Sequence, residues 1–144
     1  MRVITGSARG RRLKELEGLE TRPTTGKVKE ALFSVIQFDI EGRRVLDLFA
    51  GTGQLGIEAL SRGAESAVFV ERRKDALQAI RENLEACGFS DRARVVNGDA
   101  MSYLKSGEKF DLIFLDPPYA SGLLQPALEE IARFDIFVGS VRCV

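Results

Sequence analysis

A glycine-rich turn constrains the fold of this chain more than any other feature of the sequence. The apolar run 44–50 is followed by Gly51-Thr52-Gly53-Gln54-Leu55-Gly56, which opens a helical pattern. This is a G-x-G-x-x-G motif between a strand and a helix, where glycines let the backbone turn tightly and approach a ligand. Glu71 follows at the end of the next strand, the position from which a carboxylate binds ribose hydroxyls. The turn therefore predicts a nucleotide-like cofactor site, and the alternative for Glu71 is a solvated strand end.

Strands and helices alternate along the chain. Strand patterns are expected at 44–50, 67–70, 94–96, 111–115 and 134–138, and helices at 55–62, 74–87, 101–105 and from about residue 126. This alternation predicts an α/β fold with a doubly wound, mostly parallel sheet and right-handed crossovers. We expect one domain, 1–144, with a basic hairpin at 1–20 and a core at 21–144.

The helix that precedes the first strand shows a helical spacing of apolar residues. It is expected to begin after Thr24 or Thr25. Its inward face is predicted to carry four apolar residues, namely Val28, Leu32, Val35 and Ile36. Lys27, Lys29 and Glu30 are predicted to point elsewhere.

Acidic residues mark the ends of four successive predicted strands: Asp47, Glu71, Asp99 and Asp116. Carboxyl ends of parallel strands form one edge of the sheet, where ligands bind in open α/β folds. A bound ligand with donors facing this edge explains four neighbouring acids better than a structural role does. Asp99 has a second possible role, because it can cap the helix that follows it.

The last of these acids belongs to the turn Asp116-Pro117-Pro118-Tyr119. The prolines end the strand and stiffen the backbone. Asp116 and the carbonyl of Pro117 can accept the two N–H groups of a planar base that carries an exocyclic amine. Tyr119 offers a ring on which such a base can stack. The turn favours an amino-methyltransferase over a hydride-transfer enzyme.

Composition excludes several other chemistries. Histidine is absent, which rules out Ser-His-Asp and Cys-His catalysis and argues against a catalytic zinc site, so no metal is expected. Only two cysteines occur, Cys87 and Cys143, so reduced thiols and a cytoplasmic location are expected. No apolar run reaches the roughly 20 residues of a membrane span, so no membrane partner is expected. The formal net charge is +0, so only the distribution of charge can indicate a partner.

Basic residues cluster near the N-terminus, with Arg2, Arg9, Arg11 and Arg12 in the predicted hairpin and Arg22 after it. Guanidinium groups match phosphate geometry and give affinity without sequence information. The cluster therefore predicts RNA contact, and a frayed, solvated terminus is the alternative.

Taken together, these motifs resemble the ribosomal RNA small-subunit methyltransferase D family, and the resemblance covers nearly the whole chain up to the fifth strand. The matching segments are Arg2-Val3-Ile4-Thr5-Gly6, Arg9-Gly10-Arg11, Thr21-Arg22-Pro23-Thr24, Val28-Lys29-Glu30-Ala31-Leu32-Phe33, Leu46-Asp47-Leu48-Phe49-Ala50-Gly51-Thr52-Gly53, Leu55-Gly56-Ile57-Glu58-Ala59-Leu60-Ser61-Arg62-Gly63-Ala64 and Phe114-Leu115-Asp116-Pro117-Pro118-Tyr119. The resemblance implies a Rossmann-like class I methyltransferase that uses S-adenosylmethionine to methylate guanine N2 in 16S ribosomal RNA, free or in the small-subunit particle.

The same resemblance implies roles for individual residues. Asp116, Pro117, Pro118 and Tyr119 would hold the target guanine. The cofactor pocket would be lined by Asp47, Phe49, Gly51, Thr52, Gly53, Glu71, Asp99 and Ala100. The hairpin would hold RNA.

Two departures from the family pattern stand out. Gln54 takes the place of a small residue and can crowd or hydrogen-bond the cofactor. The strands that close the sheet after strand five are expected to be missing, which would leave an edge able to pair with another chain.

Two other functions remain open. One is a DNA adenine-N6 methyltransferase, which shares the Asp-Pro-Pro-Tyr turn. The segment between Gly53 and Asp116 is filled by strands and helices, which leaves no room for a target-recognition domain. The other is a non-catalytic nucleotide- or RNA-binding remnant.

Overall fold

The computed structural model describes residues 1–16, 26–117, 121–134 and 136. The helices are α1 (Gly26–Ile36), α2 (Gln54–Ser61), α3 (Lys74–Cys87), α4 (Ala100–Leu104) and α5 (Leu124–Arg133). The strands are β1 (Arg44–Asp47), β2 (Ser66–Glu71), β3 (Ala93–Asn97) and β4 (Leu112–Phe114), with a 3-10 turn at Ser90–Arg92 before β3. The predicted fifth strand, 134–138, lies largely outside the described residues, as do Arg22, Pro118 and Tyr119.

The four described strands form one sheet with the order β3-β2-β1-β4, and every neighbouring pair is parallel. From β1 the chain continues to β2 and β3 on one side of β1, and β4 lies on its other side. The connections that follow β1 and β4 therefore lead away from each other at the carboxyl ends of these strands. A crevice at that point is where open α/β sheets bind ligands. The predicted doubly wound architecture is confirmed.

Side chains of the strands alternate between two cores, as the period of a strand requires. Val45 and Phe69 face a cluster that includes residues of α1, α2 and α3. Leu46 and Val68 face a second cluster formed with α4 and α5. β1, β2 and β4 are therefore largely buried on both sides, which explains their unbroken apolar runs, whereas β3, at one end of the strand order, is only partly buried.

The prediction for the faces of α1 is wrong at three positions, namely Val28, Lys29 and Val35. Val28 and Val35 are 45% and 67% exposed, whereas Lys29, Phe33 and Ile36 are buried. Phe33 packs against Phe114, with ring centroids 5.6 Å apart. The helix is rotated because Lys29 finds a buried carboxylate partner, an interaction that apolar periodicity does not reveal.

Among the described residues, no helix combines the length and the hydropathy that a bilayer span requires.

Candidate active site

The glycine turn joins β1 to α2 at the carboxyl edge of the sheet. Gly53 has φ +85°, in the left-handed region, and precedes the first residue of α2. A Cβ on Gly56 would lie 2.4 Å from the ring of Phe69, so glycine lets α2 pack closely on β2. Asp47 is buried, and its Oδ2 accepts a hydrogen bond from Gly56 N at 3.1 Å. Asp47 therefore holds the start of α2 in place beneath the turn.

Glu71 connects the end of β2 to this turn. Its Oε1 accepts from Gly51 N at 2.9 Å, and its Oε2 accepts from Arg72 N and Arg73 N at 2.9 and 3.0 Å. The side chain is partly exposed. A carboxylate has about four acceptor positions, so these three bonds leave capacity for a ligand hydroxyl. Glu71 is thus a fixed acceptor beside the glycine turn, which is more than a solvated strand end.

Asp99 has the capping role that the sequence allowed. Its Oδ2 accepts from Ser102 N at 3.0 Å at the start of α4. Its Oδ1 lies 3.7 Å from Nη1 of Arg72. The side chain is 47% exposed, so the capping bond does not remove it from solvent.

The other residues predicted to contact the cofactor lie at the same edge. Phe49 and Thr52 are partly exposed in the segment after β1, and Ala100 is buried at the first position of α4. Gln54 has a side-chain oxygen that is buried and accepts no hydrogen bond within the described part of the chain. Such an atom is costly to bury unless a ligand supplies a donor.

Asp116 and Pro117 follow β4, and both are partly exposed. The register pairs Asp47 with Phe114, so Asp116 lies just beyond the end of β4, at the same edge as Asp47. Within the described ranges, no group of three or more histidine, cysteine, aspartate or glutamate side chains is arranged to hold a metal ion.

The N-terminal arm, residues 1–16, folds back on itself. An antiparallel bridge joins Arg2 to Arg12, and Val3 N donates to Arg11 O at 2.9 Å. Val3 and Leu13 are buried in the core beneath. The four arginines of the arm are exposed, namely Arg2, Arg9, Arg11 and Arg12. Arg2 Nη1 also donates to Gly10 O at 3.0 Å.

The tip of the arm rests on the last turn of α2. Ser7 N donates to Ser61 O at 2.8 Å, and Ala8 N donates to Ser61 Oγ at 3.0 Å. A Cβ on Gly6 would lie 1.8 Å from Ser61 O, so only glycine permits this approach. Because α2 has eight residues, its last turn lies about 12 Å along the helix from the glycine turn. The structure therefore places the tip of the arm away from the edge that carries Glu71.

Glu58 was not recognised as important from the sequence. Its Oε1 accepts from Ile4 N at 2.8 Å, and its Oε2 accepts from Thr5 N at 3.0 Å. A glutamate in a helix usually faces solvent, but Glu58 is the only charged residue in α2, whose other residues are mostly apolar and buried. A single charged residue in an otherwise apolar helix is the sequence feature that could have indicated a buried, paired carboxylate.

Glu58 also holds two cations. Lys29 Nζ lies 3.2 Å from Glu58 Oε1, and Arg62 Nε lies 2.9 Å from Glu58 Oε2. Burial lowers the pKa of Lys29, and the attraction of Glu58 opposes that effect. Burial alone would raise the pKa of Glu58, but the Ile4 amide, Arg62 and Lys29 together outweigh it, so the pKa is lowered. The arm is therefore anchored on a buried, ionised carboxylate.

Comparison with known proteins identifies the family and the fold of this chain. The family model described as conserved hypothetical protein 95 matches residues 1–140. The chain is 46% identical over 140 residues to YlbH of Bacillus subtilis, whose name assigns it provisionally to the rRNA methyltransferases; the match covers 94% of this chain and 76% of that protein. It is 40% identical over 129 residues to ribosomal RNA small subunit methyltransferase D of Escherichia coli, covering 89% of this chain and 65% of that protein.

A solved structure of the Escherichia coli protein yhhF, described provisionally as a methyltransferase, matches with a TM-score of 0.85 and 34% identity. The match covers 99% of this chain and 78% of that one. The chain thus spans roughly two thirds to three quarters of the length of these curated relatives. Its fold is that of the Rossmann-like class I methyltransferases, and the chain belongs to the conserved hypothetical protein 95 family, with ribosomal RNA small subunit methyltransferase D among its relatives.

Proposed function

We propose that this protein transfers a methyl group from S-adenosylmethionine to the exocyclic N2 amine of a guanine in 16S ribosomal RNA. The observation that carries the proposal is the edge of the sheet, where Glu71 is fixed against the glycine turn and Asp116-Pro117 follows the strand next to β1. The name of the Escherichia coli relative supports the small-subunit substrate.

The residues at this edge fit the cofactor chemically. Glu71 keeps acceptor capacity for ribose hydroxyls, and Asp99 is a second exposed acceptor. Gln54 offers a buried oxygen that accepts no hydrogen bond from the described residues, which suits a ligand ammonium or amine donor. When bound, S-adenosylmethionine supplies an electrophilic methyl group on a sulfonium sulfur.

The residues after β4 act on the base. The carboxylate of Asp116 and the carbonyl of Pro117 accept hydrogen bonds from the two N–H groups of the exocyclic amine. These hydrogen bonds orient the lone pair of the nitrogen toward the methyl carbon. Alignment of two bound reactants contributes roughly 7–11 kcal/mol in favourable cases. Formation of the bond from nitrogen to the methyl carbon would break the bond from that carbon to sulfur and release S-adenosylhomocysteine. Asp116 would stabilise the positive charge on the nitrogen until the amine loses one proton through Asp116 to solvent. Tyr119 is proposed to stack on the base, which must be unpaired or flipped out to reach the site.

A labelled-methyl assay distinguishes this function from its alternatives. Transfer from labelled S-adenosylmethionine is measured to naked 16S rRNA, to small-subunit particles and to duplex DNA. Label in either RNA sample supports the proposal, and label in DNA alone would favour the adenine-N6 enzyme. Cofactor binding without transfer to any sample would favour a non-catalytic remnant.

Glu71→Ala is expected to weaken binding of S-adenosylhomocysteine about 10- to 100-fold, because a hydrogen bond to a charged group contributes about 1.5–3 kcal/mol. Isothermal titration calorimetry gives the dissociation constant. Glu65→Ala is the matched control, since Glu65 is an exposed carboxylate just before the other end of β2. An unchanged affinity in Glu71→Ala would remove Glu71 from the cofactor site.

Replacing Arg9, Arg11 and Arg12 together by alanine is expected to flatten the salt dependence of RNA binding. Loss of three contacts to single-stranded phosphates reduces the slope of log K against log salt by about 2. Fluorescence anisotropy over a salt series measures this slope.

The matched control changes the same charge on the opposite face of the sheet. Lys105, Lys109 and Arg133 are exposed in and around α4 and α5, and their joint replacement by alanine should leave the slope nearly unchanged. An equal change in both triple variants would show that the arm has no special role.

A further inference from the structure

We propose that Asn83 is a positioning residue that couples RNA binding on the N-terminal arm to cofactor binding at the glycine turn. The inference rests on the proposed function and adds a route between its two ligands. Asn83 lies in α3 and is only 3% exposed. No role for α3 in binding follows from the motifs of the sequence.

The side chain of Asn83 joins the arm directly to the turn. Its Oδ1 accepts from Lys14 N at 2.7 Å, and its Nδ2 donates to Lys14 O at 3.2 Å. The same Nδ2 donates to Thr52 O at 3.1 Å, within the glycine turn. The carbonyls of Lys14 and Thr52 require a donor, and the backbone N–H of Lys14 requires an acceptor. Only this orientation of the Asn83 amide satisfies all three groups.

This connection differs from the other contacts of the arm. Glu58 and Ser61 hold the arm on α2, but their polar contacts go to the arm, to Lys29 and to Arg62. Asn83 alone among these three side chains also bonds the turn. A displacement of Lys14 therefore affects the position of Thr52 through the buried side-chain amide of Asn83.

Burial makes this amide sensitive to both partners. If the arm moves and displaces Lys14, the buried side-chain amide of Asn83 loses its hydrogen bonds to Lys14. This loss is costly because water does not replace those hydrogen bonds. The turn and the arm are thus each more stable when the other is in place. RNA bound to the arm should then favour the ordered turn, and a cofactor bound at the turn should favour the docked arm. Linkage requires the two effects to be equal in size.

Asn83→Asp tests this coupling with almost no change in shape. The variant can keep the acceptor for Lys14 N, but it places an oxygen against the carbonyls of Lys14 and Thr52 in place of the donating amide. Glu82→Gln is the matched control, because it weakens the exposed pair between Lys14 Nζ and Glu82 Oε2, 2.8 Å apart, without altering the Asn83 contacts. Asn83→Ala is the second variant, to be used if the aspartate prevents folding, as checked by a thermal melt.

The measurement is the RNA dissociation constant with and without saturating S-adenosylhomocysteine, and the reciprocal titration. The RNA is the substrate selected by the labelled-methyl assay. In the native protein and in Glu82→Gln, each ligand is expected to increase the binding affinity of the other about fivefold or more. A factor of about five is at the low end of the coupling factors that are common in proteins. In Asn83→Asp or Asn83→Ala this factor should fall close to one.

Two results would overturn the inference and leave the proposed function standing. One is a native protein that binds both ligands with a coupling factor of one. The other is an Asn83 variant that binds both ligands more weakly but keeps the native factor, because that would be a purely structural role. Failure of the native protein to bind S-adenosylhomocysteine at all would instead overturn the proposed function, and this inference with it.

Discussion

Asp116→Ala is expected to lower kcat by about 10²–10³-fold, the usual loss when one preorganised group that stabilises transition-state charge is removed. Affinity for S-adenosylhomocysteine should stay within about twofold, because Asp116 is assigned to the base and not to the cofactor. Steady-state methyl transfer at saturating substrates gives kcat, and calorimetry gives the dissociation constant of S-adenosylhomocysteine. The kcat of Asp116→Asn should lie between that of the native protein and that of Asp116→Ala, because the amide oxygen accepts a hydrogen bond but carries no charge.

Asp111 supplies a matched control for that experiment. It precedes β4 at the opposite end of the strand, where its Oδ2 accepts from Arg44 N at 2.9 Å. Asp111→Ala removes a carboxylate that flanks the same strand at its other end and should affect stability more than kcat. If Asp116→Ala loses cofactor affinity and turnover in equal measure, the assignment of Asp116 to the base is wrong.

Glu58→Gln is expected to destabilise the fold by about 3–5 kcal/mol, the usual cost of removing one partner from a buried ion pair. The substitution leaves the buried ammonium of Lys29 without its counter-ion and weakens the anchor of Ile4 and Thr5. Urea unfolding followed by circular dichroism gives the free energy of unfolding. Glu30→Gln, at an exposed position of α1, is the control and should change it by less than about 0.5 kcal/mol.

A double substitution separates the ion pair from the anchor. Lys29→Met combined with Glu58→Gln removes both charges and should recover part of the lost stability, because a well-packed apolar residue often replaces a buried charge without cost. Recovery stays partial, since Ile4 N and Thr5 N still lose a charged acceptor. A double variant as unstable as the sum of the single variants would contradict the buried ion pair.

The same carboxylate predicts a pH dependence. The pKa of Glu58 is lower in the folded protein than its ordinary value of 4.5, so the unfolded chain binds more protons as the pH falls through that value. The contribution of Glu58 to stability is therefore complete near neutral pH and is lost as the pH falls below about 4.5 through the folded pKa. Glu58→Gln should show a weaker loss of stability between pH 5 and pH 3, measured by urea unfolding at each pH.

The sheet and the arrangement of residues at its carboxyl edge were largely predictable from the sequence because local signals determine them. α3 runs from Lys74 to Cys87 as its apolar spacing predicts, and Gly88 ends it with φ +74°. The capping role of Asp99 was foreseen as one of two options, and the structure shows the cap. Glu71 lies against the glycine turn because the motif and the strand length together specify its place.

The misassigned parts depend on contacts between distant segments. The buried face of α1 carries Lys29, which the sequence pattern places elsewhere, and Glu58, far along the chain, supplies the charge that pairs with it. Asn83 looks like an ordinary polar residue until the fold brings Lys14 and Thr52 to its amide. Such pairings leave no periodic trace in the sequence, so only the structure reveals them.

Nucleoside mass spectrometry tests the central claim most directly. 16S rRNA or small-subunit particles that lack the modification are incubated with the protein and S-adenosylmethionine, and the RNA is digested to nucleosides. The proposed function predicts a gain of N2-methylguanosine that is absent with Asp116→Ala. Methylation of another nucleoside only, or equal N2-methylguanosine with the native protein and with Asp116→Ala, would contradict it.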